Sequence, residues 1–126
     1  MNEDIFLDAA ESGDLDTIAG LLNDGVDVNT RDNHDRTALL KAAKHGHIEI
    51  VKFLAEQGAE VDYKDNRGTS ALYWASANGH QQIVRFLIEH KGDVDVHDDR
   101  GWSAKDQAII QQHDHVVEML TAAGAH

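Results

Sequence analysis

The chain has 126 residues, a formal net charge of −12 from 11 basic and 23 acidic side chains, no cysteine and a mean hydropathy of −0.47. The length fits one small domain. The missing cysteine excludes disulfides, thiol nucleophiles and cysteine-ligated zinc, and the charge argues against nucleic acid and anionic membrane surfaces, which need a basic footprint. No stretch approaches the roughly 18 apolar residues of a membrane span. The opening Met1-Asn2-Glu3-Asp4-Ile5-Phe6 has neither the basic segment nor the apolar run of a leader. A cytoplasmic setting is the expectation, with a processed exported form as the alternative.

Taken in chain order, the elements repeat every 33 residues: Gly13, Gly46 and Gly79; Leu21, Leu54, Leu87 and Leu120; Val28, Val61 and Val94; Ala9, Ala42, Ala75 and Ala108. A fixed period of this length means stacked supersecondary units, none able to bury its apolar face alone. The first unit is predicted to open at an Asp4 cap and to carry a helix pair made hydrophilic by Asp14, Asp16, Asn23 and Asp24. In the second, Thr37 is the N-cap of a short Ala38–Ala43 helix that Gly46 ends. A second helix follows from His47, with Ile48, Ile50, Val51, Phe53 and Leu54 on one face, and Gly58 stops it. A polar turn, Lys64-Asp65-Asn66-Arg67-Gly68, leads to Ser70, the next cap. In the third unit Lys91 stands where Gly25 and Gly58 stood, with Gly92 one place later. Either Lys91 is left-handed or that helix runs one residue further, and the stop supplied by Gly92 favours the longer helix. In the last unit Lys105 replaces Leu39 and Leu72, Gln112 replaces the glycine, and Asp114, His115 and Glu118 add polarity. These polar substitutions are those of a cap, so the array is expected to be complete.

The pattern resembles the ankyrin repeat. The residues that carry the likeness are Thr37-Ala38-Leu39 with Ala42-Ala43, Gly46-His47-Ile48-Glu49-Ile50-Val51 and Gly58-Ala59-Glu60-Val61-Asp62. The third copy adds Gly68-Thr69-Ser70-Ala71-Leu72, Gly79-His80 and Ile83-Val84, and the first adds Gly25-Val26-Asp27-Val28-Asn29. The resemblance implies an all-α solenoid, a single domain over residues 1–126 built from four helix-turn-helix repeats with hairpin loops, at about 1–31, 32–64, 65–97 and 98–126. The outer two act as caps, and a concave binding face lies between helices and hairpin tips. The chain departs from the family at its proline, where Ile5, Ala38, Ala71 and Ala104 stand, and at the histidine that follows, where Leu7, Leu40, Tyr73 and Asp106 stand. The hydrogen bonds of that histidine are therefore expected to be missing, at a cost in rigidity between repeats.

Nine histidines raise the question of a metal, with His45-x-His47 and His113-x-His115 as the close pairs. His47, His80 and His113 share one repeat position, however, and a structural role at a helix start explains them. The run Asp93-x-Asp95-x-His97-x-Asp99-Arg100-Gly101 resembles a calcium loop but lacks glycine at its sixth place and an acid at its twelfth, Ala104. No phosphate-cradling glycine loop or nucleophile elbow is present. No catalytic residue, metal site or cofactor is expected.

What remains is the face that the resemblance assigns to binding. It collects Arg31, His34, Arg36, Lys41, Lys44, His45, Lys64, Arg67, Trp74, Asn78, Arg100 and Trp102. Trp74 and Trp102 are anchor candidates, since tryptophan is enriched at interface hot spots, unless one packs as core between repeats. Seven of the eleven basic residues fall on this face; they either steer an acidic partner or pair with Asp32, Asp35, Asp65 and Asp98. The resemblance implies a non-catalytic module, monomeric alone, that binds another protein with an acidic patch. Three alternatives stay open: an inhibitor or immunity-type protein that blocks an enzyme, a passive adaptor, and an enzyme or small-ligand binder.

Overall fold

A computed structural model describes all residues, 1–126. It contains eight helices and no strand: α1 (Asn2–Ser12), α2 (Leu15–Asn23), α3 (Ala38–Lys44), α4 (Ile48–Glu56), α5 (Ala71–Ala77), α6 (Gln81–Glu89), α7 (Ala104–Ile110) and α8 (Asp114–Ala122). Each odd helix packs on the even helix after it. The odd helices also pack on one another in sequence, α1 on α3, α3 on α5 and α5 on α7, while α4 packs on α6 and α6 on α8. The result is two helical layers, of which the odd-helix layer is the tighter. Its closeness follows from Ala42, Ala75 and Ala108, all fully buried, because a methyl side chain lets backbones approach. Phe6, Ile18, Leu39, Leu54, Leu72, Leu87 and Leu120 fill the continuous core between the layers.

Local chemistry sets the ends of these helices. Thr37, Ser70 and Ser103 cap α3, α5 and α7, each accepting a hydrogen bond from the backbone N–H three residues on, and Asp106 returns a bond to Ser103. The first helix corrects the sequence-based expectation: it starts at Asn2 after Met1, and Asp4 lies inside its first turn with Glu3. Acids there complement the helix dipole without capping it.

Lys91 also departs from expectation. Helix α6 ends at Glu89 and Lys91 is left-handed, with φ 65°. The Gly92 N–H bonds the Leu87 carbonyl at 2.8 Å, as Ala59 bonds Leu54 at 3.0 Å. The carbonyl of Leu87, the leucine that recurs every 33 residues, must be met by a chain that has already turned back, so the repeat geometry overrides the side chain at position 91. Lys91→Gly is therefore expected to stabilise the protein by about 0.5–1 kcal/mol, the left-handed penalty less the extra freedom of glycine in the unfolded chain. A denaturant titration of the two proteins measures it.

The repeats are joined by a device repeated three times. The imidazoles of His47, His80 and His113 lie over Gly13, Gly46 and Gly79 of the preceding unit, so close that a Cβ on those glycines would sit 2.9, 2.8 and 2.6 Å from ring atoms. His47 Nε2 is 2.9 Å from the Glu11 carbonyl oxygen and His80 Nε2 3.1 Å from that of Lys44. A carbonyl only accepts, so Nε2 carries the proton in both. Bonds between repeats are thus present although the family's histidine, and with it that residue's own bonds, is absent. They come from a different histidine and, in the last junction, from Tyr73, whose hydroxyl donates to Asp98 at 2.6 Å.

Candidate functional site

The hairpins are built on one aspartate each. Asp32 Oδ1 accepts from the N–H groups of His34 and Arg36, Asp65 Oδ1 from Arg67 and Thr69, and Asp98 Oδ1 from Arg100 and Trp102, all at 2.8–3.0 Å. The short carboxylate thus replaces a backbone acceptor and folds the tip over. Successive tips are tied together, Asn66 N–H to the His34 carbonyl at 3.2 Å and Asp99 N–H to that of Arg67 at 2.8 Å. On the stems, Asn29 accepts from Glu60 N–H, Asp62 from Asp93 N–H and Asp95 from His126 N–H. Asp93 and Asp95, which imitate a calcium loop in sequence, are engaged in these stem bonds and in the 3.1 Å pair of Asp93 with Lys64.

Where the last two tips meet α5 and α7 there is a hollow of about 410 Å³. Tyr73 and Trp74 come from α5, Gln107 and Ile110 from α7, and Arg67, Thr69, Asp98, Asp99, Arg100 and Trp102 from the tips. Trp74 is half-buried against the core, its indole N–H donating to Thr69 Oγ1 at 2.8 Å, with Tyr73 edge-on at 5.3 Å and Lys44 Nζ 4.4 Å from the ring centroid. Trp102 is 47% exposed and Ile110 54%. Burial, then acceptance of its proton by Asp98, pushes the Tyr73 hydroxyl well above its ordinary pKa, so it stays a donor. Burial pushes Asp98 up, but the Tyr73 hydroxyl and the N–H groups of Trp102 and Arg100 together hold it below its ordinary value. Burial, followed by the charge of Arg36, lowers the pKa of Lys44.

The depressed carboxylates give a pH prediction. Asp98 and the similarly held Asp32 and Asp93 have folded pKa values below the ordinary one for aspartate. Their contribution is present above the unfolded value and lost as pH falls through the folded one. The denaturation midpoint should lose the contribution of these carboxylates as pH falls below about 4, and Asp98→Asn should flatten that acid limb.

The structure separates the sequence-derived site residues. Arg67, Trp74, Arg100 and Trp102 share the hollow, with Lys44 on the Trp74 ring. Arg67 and Arg100 make no side-chain hydrogen bond or ion pair, nor does Lys44. Arg36 and Lys41 are neutralised by Asp65 at 3.6 Å and Asp32 at 3.2 Å. Arg31 donates to the Tyr63 hydroxyl at 2.7 Å and Lys64 pairs with Asp93, so both are drawn to the hairpin stems and neither lines the hollow. His45 Nε2 lies 3.2 Å from Glu11 Oε1, Asn78 Nδ2 donates to the Lys44 carbonyl at 2.8 Å, and His34 is exposed at the first tip. Sequence reasoning missed the Tyr73–Asp98 pair and the tip-building role of Asp32, Asp65 and Asp98. Their common 33-residue spacing was the available signal.

A family model described as ankyrin repeats in many copies matches residues 6–55, and one described as ankyrin repeats in three copies matches residues 58–126. No curated protein matches the chain. With matches from Phe6 to His126 and eight helices stacked in pairs, the chain belongs to the ankyrin-repeat family.

Proposed function

We propose that this chain is a non-catalytic, monomeric module that binds another protein across its hairpin tips and inner helices, and that the partner presents an acidic surface there. Ankyrin repeats mediate protein–protein interaction. The observation that carries the reading here is the exposed Trp102 facing the same hollow as Trp74, beside two arginines whose side chains make no ion pair or hydrogen bond. An aromatic anchor ringed by unpaired cations is the composition of an interface hot spot. The titratable groups of the hollow support binding over chemistry: Asp98 is occupied by three donors, and Tyr73 is held as a donor.

The test is kinetic, on a partner captured from native lysate. Rim charges act on association and buried anchors on dissociation. Arg67→Glu with Arg100→Glu is expected to slow association about tenfold and flatten its salt dependence. Trp102→Ala is expected to speed dissociation and cost about 2 kcal/mol. Glu56→Lys, exposed at the end of α4, should change neither rate. Binding that survives Trp102→Ala and is indifferent to salt would end this reading. An activity assay on the captured partner decides whether occupancy also inhibits it.

A further inference from the structure

Resting on that reading, we infer that the partner is held at one subsite between the third and fourth repeats, by a short acidic segment whose single apolar side chain enters the hollow between Trp74 and Trp102. Two observations narrow the site in this way. The first is the internal pairing of the cations. On the first two hairpins Arg36 and Lys41 meet Asp65 and Asp32, Arg31 bonds Tyr63, and Lys64 meets Asp93. Charge that is already paired offers little to a partner. The cations of the mapped face that make neither an ion pair nor a side-chain hydrogen bond are Lys44, Arg67 and Arg100, and all three border the tryptophan pair.

The second observation is the shape and lining of the hollow. Trp102 and Ile110 stand open to water at 47% and 54% exposure, above a floor of Tyr73 and Trp74. About 410 Å³ is room for one side chain of leucine or phenylalanine size with adjoining backbone. Covering this apolar wall gains hydrophobic free energy, and carboxylates on the residues flanking the inserted side chain would meet Arg67 and Arg100 at the tips and Lys44 beside α5. Asp99 is the lining carboxylate with no hydrogen bond or ion pair of its own, and it opposes an acidic occupant.

The peptide Glu-Glu-Leu-Glu-Glu-NH₂, carrying a fluorophore on its N-terminal amine and followed by fluorescence anisotropy on the whole chain, tests this. The expected result is saturable binding that weakens at least tenfold with Trp102→Ala, with Arg67→Gln/Arg100→Gln, and with a Leu→Ala or all-Gln peptide. Arg31→Gln/Lys64→Gln should leave it within twofold, and Asp99→Asn should tighten it. Circular dichroism and thermal unfolding of each variant separate lost binding from lost folding. The inference is overturned if the all-Gln peptide binds equally, if the Arg31/Lys64 pair matters as much as Arg67/Arg100, if Asp99→Asn weakens binding, or if no peptide binds. A captured partner that still depends on Trp102 while the peptide fails would leave the broader reading standing and remove this one.

Discussion

Asp65→Ala should lower stability by about 3–5 kcal/mol, close to the scale of a whole small domain's margin. The Asp65 side chain has no exposure, and it accepts from the N–H of Arg67, the N–H of Thr69 and the Thr69 hydroxyl, at 3.0, 2.9 and 2.7 Å. It also lies 3.6 Å from Arg36 Nε, a buried nitrogen with no other partner. Removing the carboxylate leaves the partly buried Arg36 guanidinium without its counter-charge and the Arg67 and Thr69 amides without their acceptor, and what is buried of each costs its desolvation. The damage should extend to the binding hollow, because Thr69 holds the Trp74 indole. Asp35→Ala, exposed on the tip before it, serves as the control and should change stability by less than about 1 kcal/mol. Chemical denaturation of both variants supplies the numbers.

Gly46→Ala should cost about 2–4 kcal/mol and lower the Tm by about 10 °C. Two penalties combine. Gly46 is left-handed, with φ 81°, and a Cβ there would sit 2.8 Å from Cε1 of His80. The imidazole cannot swing away without breaking its bond to the Lys44 carbonyl. Gly25 separates the two terms: its φ is 101° but nothing lies within 4 Å of its Cβ position, so Gly25→Ala should cost only the conformational part, about 1 kcal/mol. In a His80→Ala background the Gly46→Ala penalty should shrink towards the Gly25 value, a coupling of about 1–2 kcal/mol in a double-mutant cycle. Equal costs at Gly25 and Gly46 would show that the histidine–glycine contact does not join the repeats.

Much of this fold was legible because a solenoid writes its geometry as a period. The alanines of the inner helices, the leucines of the core and the Thr37 and Ser70 caps each act within one unit, where sequence spacing and spatial neighbourhood coincide. What was illegible acts between units. His47 reaches a carbonyl 36 residues away, and Tyr73 a carboxylate 25 away. Both contacts depend on how units stack, which no local pattern encodes. Asp32, Asp65 and Asp98 were visible in register yet read as counter-ions, because a carboxylate's capture of N–H groups two and four residues on exists only once the tip has folded. Lys91 shows the converse: the Gly92 signal was real, but the Leu87 carbonyl fixes where the chain turns. The binding face was legible as a register of positions. Its division into paired cations and free ones was not, since Arg31, Lys64, Arg67 and Arg100 are alike in sequence and differ only in whether an acceptor from the next repeat reaches them.

The central claim is that a partner covers the hollow between Trp74 and Trp102. Hydroxyl-radical footprinting of the chain, free and in complex with its captured partner, tests it most directly. Trp102 is open in the free protein, while Phe86 and Met119, partly buried on α6 and α8, report on the outer layer. The account predicts that oxidation of Trp102 drops several-fold in the complex while Phe86 and Met119 are unchanged. Unchanged oxidation of Trp102, with Phe86 or Met119 protected instead, would place the partner on the outer helices and contradict it.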